Sequence, residues 1–257
     1  MTSLPNAEIG ILYALAGLVG GSFASAASHR LPLNMPLTVD RSRCPHCNHP
    51  LGARDLVPLL SWFAAGGKCR YCGARVSIRY PAIELAMAAL FVGAWWLDSN
   101  DQLGAVFLAL TALGLVIITV ADLETRIIPD VALIALLPVA VAWRWHQGGD
   151  WIDGIAGVLL GGGLLYGLRA AYKAIRGLDA LGLGDIKFVG LAGLYVGATG
   201  LAPFLLLGGI IGIVFGLLWR LVGRGAVFPF GPALCAALAI MLIAPEWFDA
   251  LPITAHR

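Results

Sequence analysis

The stretch VIITVADLETRIIPD, Val116 to Asp130, decides the fold. It closes an apolar run that begins near residue 103 and stops on a carboxylate, Asp122. A helix needs about 20 apolar residues to cross a bilayer, so the run reads as a membrane helix with an acid at its mouth. Pro129 and Asp130 open the next apolar run, where Asp130 is a natural N-cap. Glu124 and Arg126 read as solvated loop charges. Capping does not account for Asp122, because a carboxylate at a helix C-terminus opposes the macrodipole.

Working outward, similar runs recur at about 8–27, 82–98, 103–121, 131–146, 152–171, 186–199, 201–219 and 228–248. Charged residues make up 12% of the 257-residue chain, against roughly 25% in soluble domains, and the mean hydropathy is +0.84. Hydrocarbon cannot solvate charge. The expected fold is therefore an all-α polytopic membrane protein of about eight transmembrane helices. Its expected parts are a first helix (1–27), a small cysteine-rich cytoplasmic domain (28–81) and a seven-helix membrane domain (82–257). The 33 glycines suit close helix packing.

The charges orient the chain. With the N-terminus outside, residues 28–81, 122–130, 172–185 and 220–227 face the cytoplasm; counting the boundary residues Arg169 and Lys187 with that nearer side, all but Arg144 and Arg257 of the 17 Lys and Arg fall there. Glu8, Asp98, Asp101, Asp150, Asp153, Glu246 and Asp249 fall on the opposite face. This is the asymmetry of the positive-inside rule. The ASAAS at 24–28 looks cleavable, but Met1–Glu8 lacks a basic n-region, so the first run is expected to stay as a membrane helix.

The one long polar segment, 28–80, holds four of the five cysteines, as Cys44-x2-Cys47 and Cys69-x2-Cys72 with 21 residues between the pairs. Two such pairs can bring four thiolates around a tetrahedral Zn²⁺. Gly73 suits the turn after the second pair. A domain of about 50 residues buries little core, so a metal staple is physically apt. A redox CxxC site is the rival reading; disulfides do not suit a cytosolic domain. His46 and His49 read as loop histidines or further ligands, and Cys235 as a small buried apolar residue.

A second acid stands in ALGLGDIKF, Ala180 to Phe188. Alone, Asp185 reads as an N-cap behind turn glycines. The charge-derived orientation, however, puts Asp122 and Asp185 at the cytoplasmic ends of the third and sixth runs. Two facing carboxylates can share one proton. The ionised member then takes a proton from water while the protonated one polarises a peptide carbonyl, which is aspartic-protease chemistry. Gly182 and Gly184 would leave room for an extended substrate. Lys187 reads either as steering substrate charge or as snorkelling toward the interface.

Together these motifs resemble the type IV prepilin peptidases, the bifunctional leader peptidase/N-methyltransferase family of GxGD aspartic proteases. The resemblance rests on GSFASAASHRLP, CPHC, CRYC, SIRYPAIE, DLETRIIPD and GLGDIK, in the family's order and over nearly the whole chain. It implies a bacterial inner-membrane enzyme that cleaves the basic leader of type IV prepilins or pseudopilins after a glycine, at the cytoplasmic face. It implies Asp122 and Asp185 as the catalytic pair, and N-methylation of the new terminus with S-adenosylmethionine in association with the cysteine-containing domain. Glu84 matches RYPxxE and is expected to contribute there or to anchor the second span. Two departures fall in or beside that region: Ser25 where the family usually has Asn, and Leu56–Pro58 where it usually has NIP. The expected partners are prepilin-type substrates and the lipid bilayer, with no nucleic acid; the basic cytoplasmic segment suits anionic lipid.

Two other classes compete. A proton- or ion-coupled transporter could use Asp122 and Asp185 as relays, but such carriers place their acids near the midplane and often show internal repeats. A zinc or thiol module without catalysis would explain the cysteines and leave Asp122 unexplained.

Overall fold

A computed structural model of the chain describes residues 7–37, 41–178, 181–225 and 227–244. The end of the last expected span (245–248), the expected face charges Glu246 and Asp249, and Arg257 lie outside the described residues. Among the described residues the secondary structure is helical, with two isolated antiparallel bridges and no longer strand. The helices are α1 (Ala7–Arg30), α2 (Leu60–Ala64), α3 (Arg79–Leu97), α4 (Gln102–Thr125), α5 (Asp130–His146), α6 (Trp151–Arg176), α7 (Leu183–Leu221) and α8 (Gly231–Ile243). The helices of α1, α3, α4, α6 and α7 are long and apolar enough to cross a membrane. The chain forms two compact units, divided between Ile117 and Ile118 inside α4.

In the first unit α1 and α3 pack backbone to backbone. A Cβ on Gly17 would lie 2.6 Å from the Ala88 Cα, and one on Gly21 2.5 Å from the Glu84 Cα, so only glycine permits the approach. This is the close small-residue packing that lets apolar helices associate without a hydrophobic driving force. Arg79 adds a polar tie at one end: it donates to Ser25 Oγ at 2.9 Å, to the Ser25 carbonyl at 3.2 Å and to Ser28 Oγ at 2.8 Å. The unusual Ser25 is thus a working acceptor for the Arg79 of SIRYP.

In the second unit the first part of α7 is the core, with every residue from Phe188 to Tyr195 buried. A helix apolar all round belongs inside. α6 covers it through facing glycines, Gly157 against the Gly193 backbone. The other side of α6 carries Leu159 and Leu160, both exposed, a surface suited to lipid.

α7 is one helix only by hydrogen bonding. Gly197 has φ 74° and ψ 175°, far from helical. A Cβ on Gly161 would meet the Val189 carbonyl at 3.0 Å and Leu201 Cδ1 at 3.2 Å. In a straight helix residues 12 apart are separated by about 18 Å. Both can reach Gly161 only because the chain turns back at Gly197, giving arms 183–196 and 198–221. These arms correspond to the sixth and seventh apolar runs.

Arg144, an exception to the charge asymmetry, is buried and fully engaged at this reversal. It donates to the Asp150 carbonyl, to the Leu194 carbonyl at 3.0 Å and to Asp153 Oδ2 at 3.1 Å. Asp153 Oδ1 in turn accepts the Thr199 N–H at 3.2 Å. A buried cation is tolerable when paired in this way.

Candidate active site and metal centre

Asp122 lies in the last turn of α4 and is buried, at 5% exposure. Its own helix dipole is unfavourable, but another helix compensates. The Gly231 N–H, at the start of α8, donates to Asp122 Oδ2 at 2.8 Å. A helix N-terminus favours an anion, and Pro232 in the next position has no N–H to offer. The sequence reading missed Gly231; its visible signal was the Gly-Pro pair opening the last apolar run.

α4 ends when Arg126 takes a left-handed conformation, φ 58°, with its N–H on the Asp122 carbonyl at 2.9 Å. The turn carries Ile128 onto Gly184, where a Cβ would sit 2.9 Å from the Ile128 Cβ. Asp130 opens α5 but does not cap it: Pro129 is the N-cap, without a side-chain bond. The Asp130 carboxylate instead receives Lys187 Nζ, at 2.8 Å to each oxygen. An ion pair outcompetes capping here because the Lys187 ammonium is within direct reach.

Asp185 is the third residue of α7, and Gly182 is the N-cap. The carboxylate folds back toward the Gly182 backbone. A Cβ on Gly182 would lie 2.7 Å from Asp185 Oδ2. At each of these two glycines the space a Cβ would take is thus occupied by the chain's own Asp185 or Ile128. Lys187, expected to steer substrate charge or snorkel, is held by Asp130.

The fold brings the two acids together. Asp122 and Asp185 lie within electrostatic reach of each other, and Cys235 is buried close to Thr119 and to both carboxylates. Cys235 is thus buried as expected, but beside the carboxylates rather than among apolar groups alone.

The cysteines converge in the first unit. Their four Sγ atoms lie within 4.8 Å of one another, with Cys44 and Cys72 at 3.9 Å. A tetrahedral zinc with bonds of about 2.3 Å needs sulfurs about 3.8 Å apart, so the set fits. Two matching knuckles build it. Asn48 N–H bonds the Cys44 carbonyl at 2.8 Å and Gly73 N–H the Cys69 carbonyl at 2.9 Å, while Cys44 N–H and Cys69 N–H bond the carbonyls of His49 and Ala74. Asn48 (φ 58°) and Gly73 (φ 72°) occupy the same left-handed position in each knuckle, as the turn reading of Gly73 implied.

The N–H groups of Cys47 and His46 push the Cys44 thiol down to about 6. At Cys72 the Ala74 N–H lowers the thiol, but burial and the other three sulfurs outweigh it and push it up to about 12. Four sulfurs this close do not all ionise unaided, and a divalent cation removes that conflict. His46 and His49 stand outside the cluster; His49 stacks on Tyr71 at 3.7 Å.

Beside the cysteines is a cavity of about 480 Å³, whose walls include Ser25, His29, Arg30, Trp62, Tyr71 and Glu84. Glu84 is nearly buried and accepts the Leu59 N–H at 2.8 Å. It therefore ties the cysteine segment to α3.

The described residues thus combine five helices long and apolar enough to cross a membrane, two neighbouring carboxylates and a cluster of four thiols. Residues 15–97 match the Bacterial Peptidase A24 N-terminal domain and residues 106–217 the Type IV leader peptidase family. A prepilin leader peptidase/N-methyltransferase of Aeromonas hydrophila is 32% identical, over 92% of this chain and 90% of the relative. The type 4 prepilin-like proteins leader peptide-processing enzyme of Escherichia coli O78:H11 is also 32% identical, over 89% and 91%. A prepilin leader peptidase/N-methyltransferase of Neisseria gonorrhoeae is 31% identical, over 91% and 90%. No solved structure matches the chain. The chain belongs to the type IV leader peptidase family.

Proposed function

We propose that this protein is a membrane aspartic endopeptidase that removes the leader of type IV prepilins or pseudopilins after a glycine, with Asp122 and Asp185 as its catalytic pair. The observation that carries the reading is the meeting of these two acids, 63 positions apart in sequence, at one site. Asp122, receiving the Gly231 N–H, is suited to hold the negative charge. It takes a proton from water as the water oxygen attacks the scissile carbonyl. Asp185 carries the shared proton and donates a hydrogen bond to the carbonyl oxygen. Collapse of the tetrahedral intermediate breaks the C–N bond; the leaving amine takes the proton that Asp122 drew from the water, and the pair is left with its one shared proton.

The reversal at Gly197 supports eight crossings, made by α1, α3, α4, α5, α6, the two arms of α7 and α8. The charge asymmetry supports an outside N-terminus, with the cysteine segment and the carboxylates on the cytoplasmic side. A prepilin with its apolar helix in the bilayer presents its leader junction at that interface, so the acids avoid the costly bilayer centre. Family membership favours hydrolysis over ion relay.

Two accessory groups complete the reading. Cys44, Cys47, Cys69 and Cys72 would hold a structural Zn²⁺ that fastens the two knuckles together. S-adenosylmethionine, when bound, supplies an electrophilic methyl group for N-methylation of the new terminus. The cavity beside the cysteines falls in the ~300–1,000 Å³ range of small-molecule sites. There the rings of Trp62 and Tyr71 would stack a base, while Glu84 and Arg30 offer opposite charges to an amino-acid moiety. Titration of the purified full-length protein with S-adenosylmethionine should give saturable heat that Trp62→Ala weakens.

The activity itself is tested by intact-mass spectrometry of a prepilin co-expressed with and without the protein. The expected result is loss of the leader mass together with a gain of one methyl group. An unchanged prepilin mass would refute the reading.

A further inference from the structure

The α4–α5 connection and the start of α7 meet at three successive points. Asp122 interacts with Asp185, Ile128 fills the space at Gly184, and Lys187 binds both oxygens of Asp130 at 2.8 Å. Residues 185 and 187 point about 200° apart around a helix. The first turns of α7 are thus gripped on two sides by acids that bracket one short connection. Asp130 gives up capping its own helix to make this contact.

We propose that Asp130 and Lys187 are positioning residues: their ion pair fastens the α4–α5 connection to the start of α7 and so sets how Asp122 stands relative to Asp185. This inference rests on the peptidase reading. Side-chain exposures of 50% for Lys187 and 58% for Asp130 mean that the pair adds little to overall stability. Its loss is therefore felt in alignment, where a displacement of about 1 Å can cost about 100-fold in rate. A lysine with its ammonium on two carboxylate oxygens is also not the free cation that substrate steering needs.

The test is a double-mutant cycle on the full-length protein in detergent, with a purified prepilin as substrate. Lys187→Met and Asp130→Asn should each lower kcat by about 10- to 100-fold, leaving KM within about twofold and the thermal transition unchanged. The double variant should lose no more than either single one, because both changes remove one contact. Lys187→Arg, which can still reach both oxygens, should restore most of the rate. Multiplying losses, or a raised KM in Lys187→Met with Asp130→Asn silent, would overturn the proposal and return Lys187 to the substrate. Asp185→Asn runs in parallel: cleavage there at the normal rate would break the peptidase reading itself, whereas inactivity there with a non-cooperative cycle defeats only the positioning role.

Discussion

At the scale of single residues, Asp122 is in an awkward place made workable by a neighbour. Its own helix end repels a carboxylate, and the first turn of α8 attracts one. A methyl group at Gly231 would stand 2.7 Å from Asp122 Oδ2, closer than packing allows, so the carboxylate would have to move. Gly231→Ala is expected to cut leader cleavage by about 100-fold while the protein still accumulates in the membrane, as judged by cleavage assay and immunoblot. Asp122 was legible in the sequence because nothing local explained it. Gly231 was marked only by the Gly-Pro pair, because a backbone N–H carries no side-chain signature of its own. Gly182 and Gly184 were legible as special positions, but their occupants were not. Whether a glycine makes room for a substrate or for the chain's own atoms depends on what the fold brings opposite it.

At the scale of elements, the reversal of α7 is the feature on which the second unit turns. Apolar sequence continues on both sides of Gly197 with no polar loop, so only the excessive length of the run betrays two segments. The break is held by Arg144 and Asp153, which join the ends of α5 and α6 to the turn. The ψ of Gly197 near 175° with positive φ belongs to a region that side chains essentially do not enter. Arg144→Leu leaves Asp153 without its cation, at a cost of about 3–5 kcal/mol. A lower thermal transition in detergent and less protein in the membrane are expected. Arg144 looked anomalous in the sequence because the charge asymmetry describes exposed loops, whereas this arginine is internal.

At the scale of the whole molecule, the proposed function gives the four-thiol centre and the carboxylate pair different steps of one processing reaction. Metal analysis of purified protein should find zinc that is lost in Cys44→Ser or Cys69→Ser. Those variants should impair methylation more than cleavage, as read from the mass of the processed pilin. Equal loss of both would give the cysteines a fold-wide role. The CxxC spacing made the cluster legible, since two sulfurs from each tight turn must point the same way. The cavity beside it was not legible, because its walls come from α1, the knuckles and α3, whose proximity no local pattern records.

The central claim is that Asp122 and Asp185 together cleave the leader. Its most direct test is the intact mass of a prepilin incubated with the wild-type protein, with Asp122→Asn and with Asp185→Asn, each confirmed as folded and membrane-embedded. Leader removal by the wild type and a full-length prepilin with both variants is the expected result. Processing at the normal rate by either variant would contradict it.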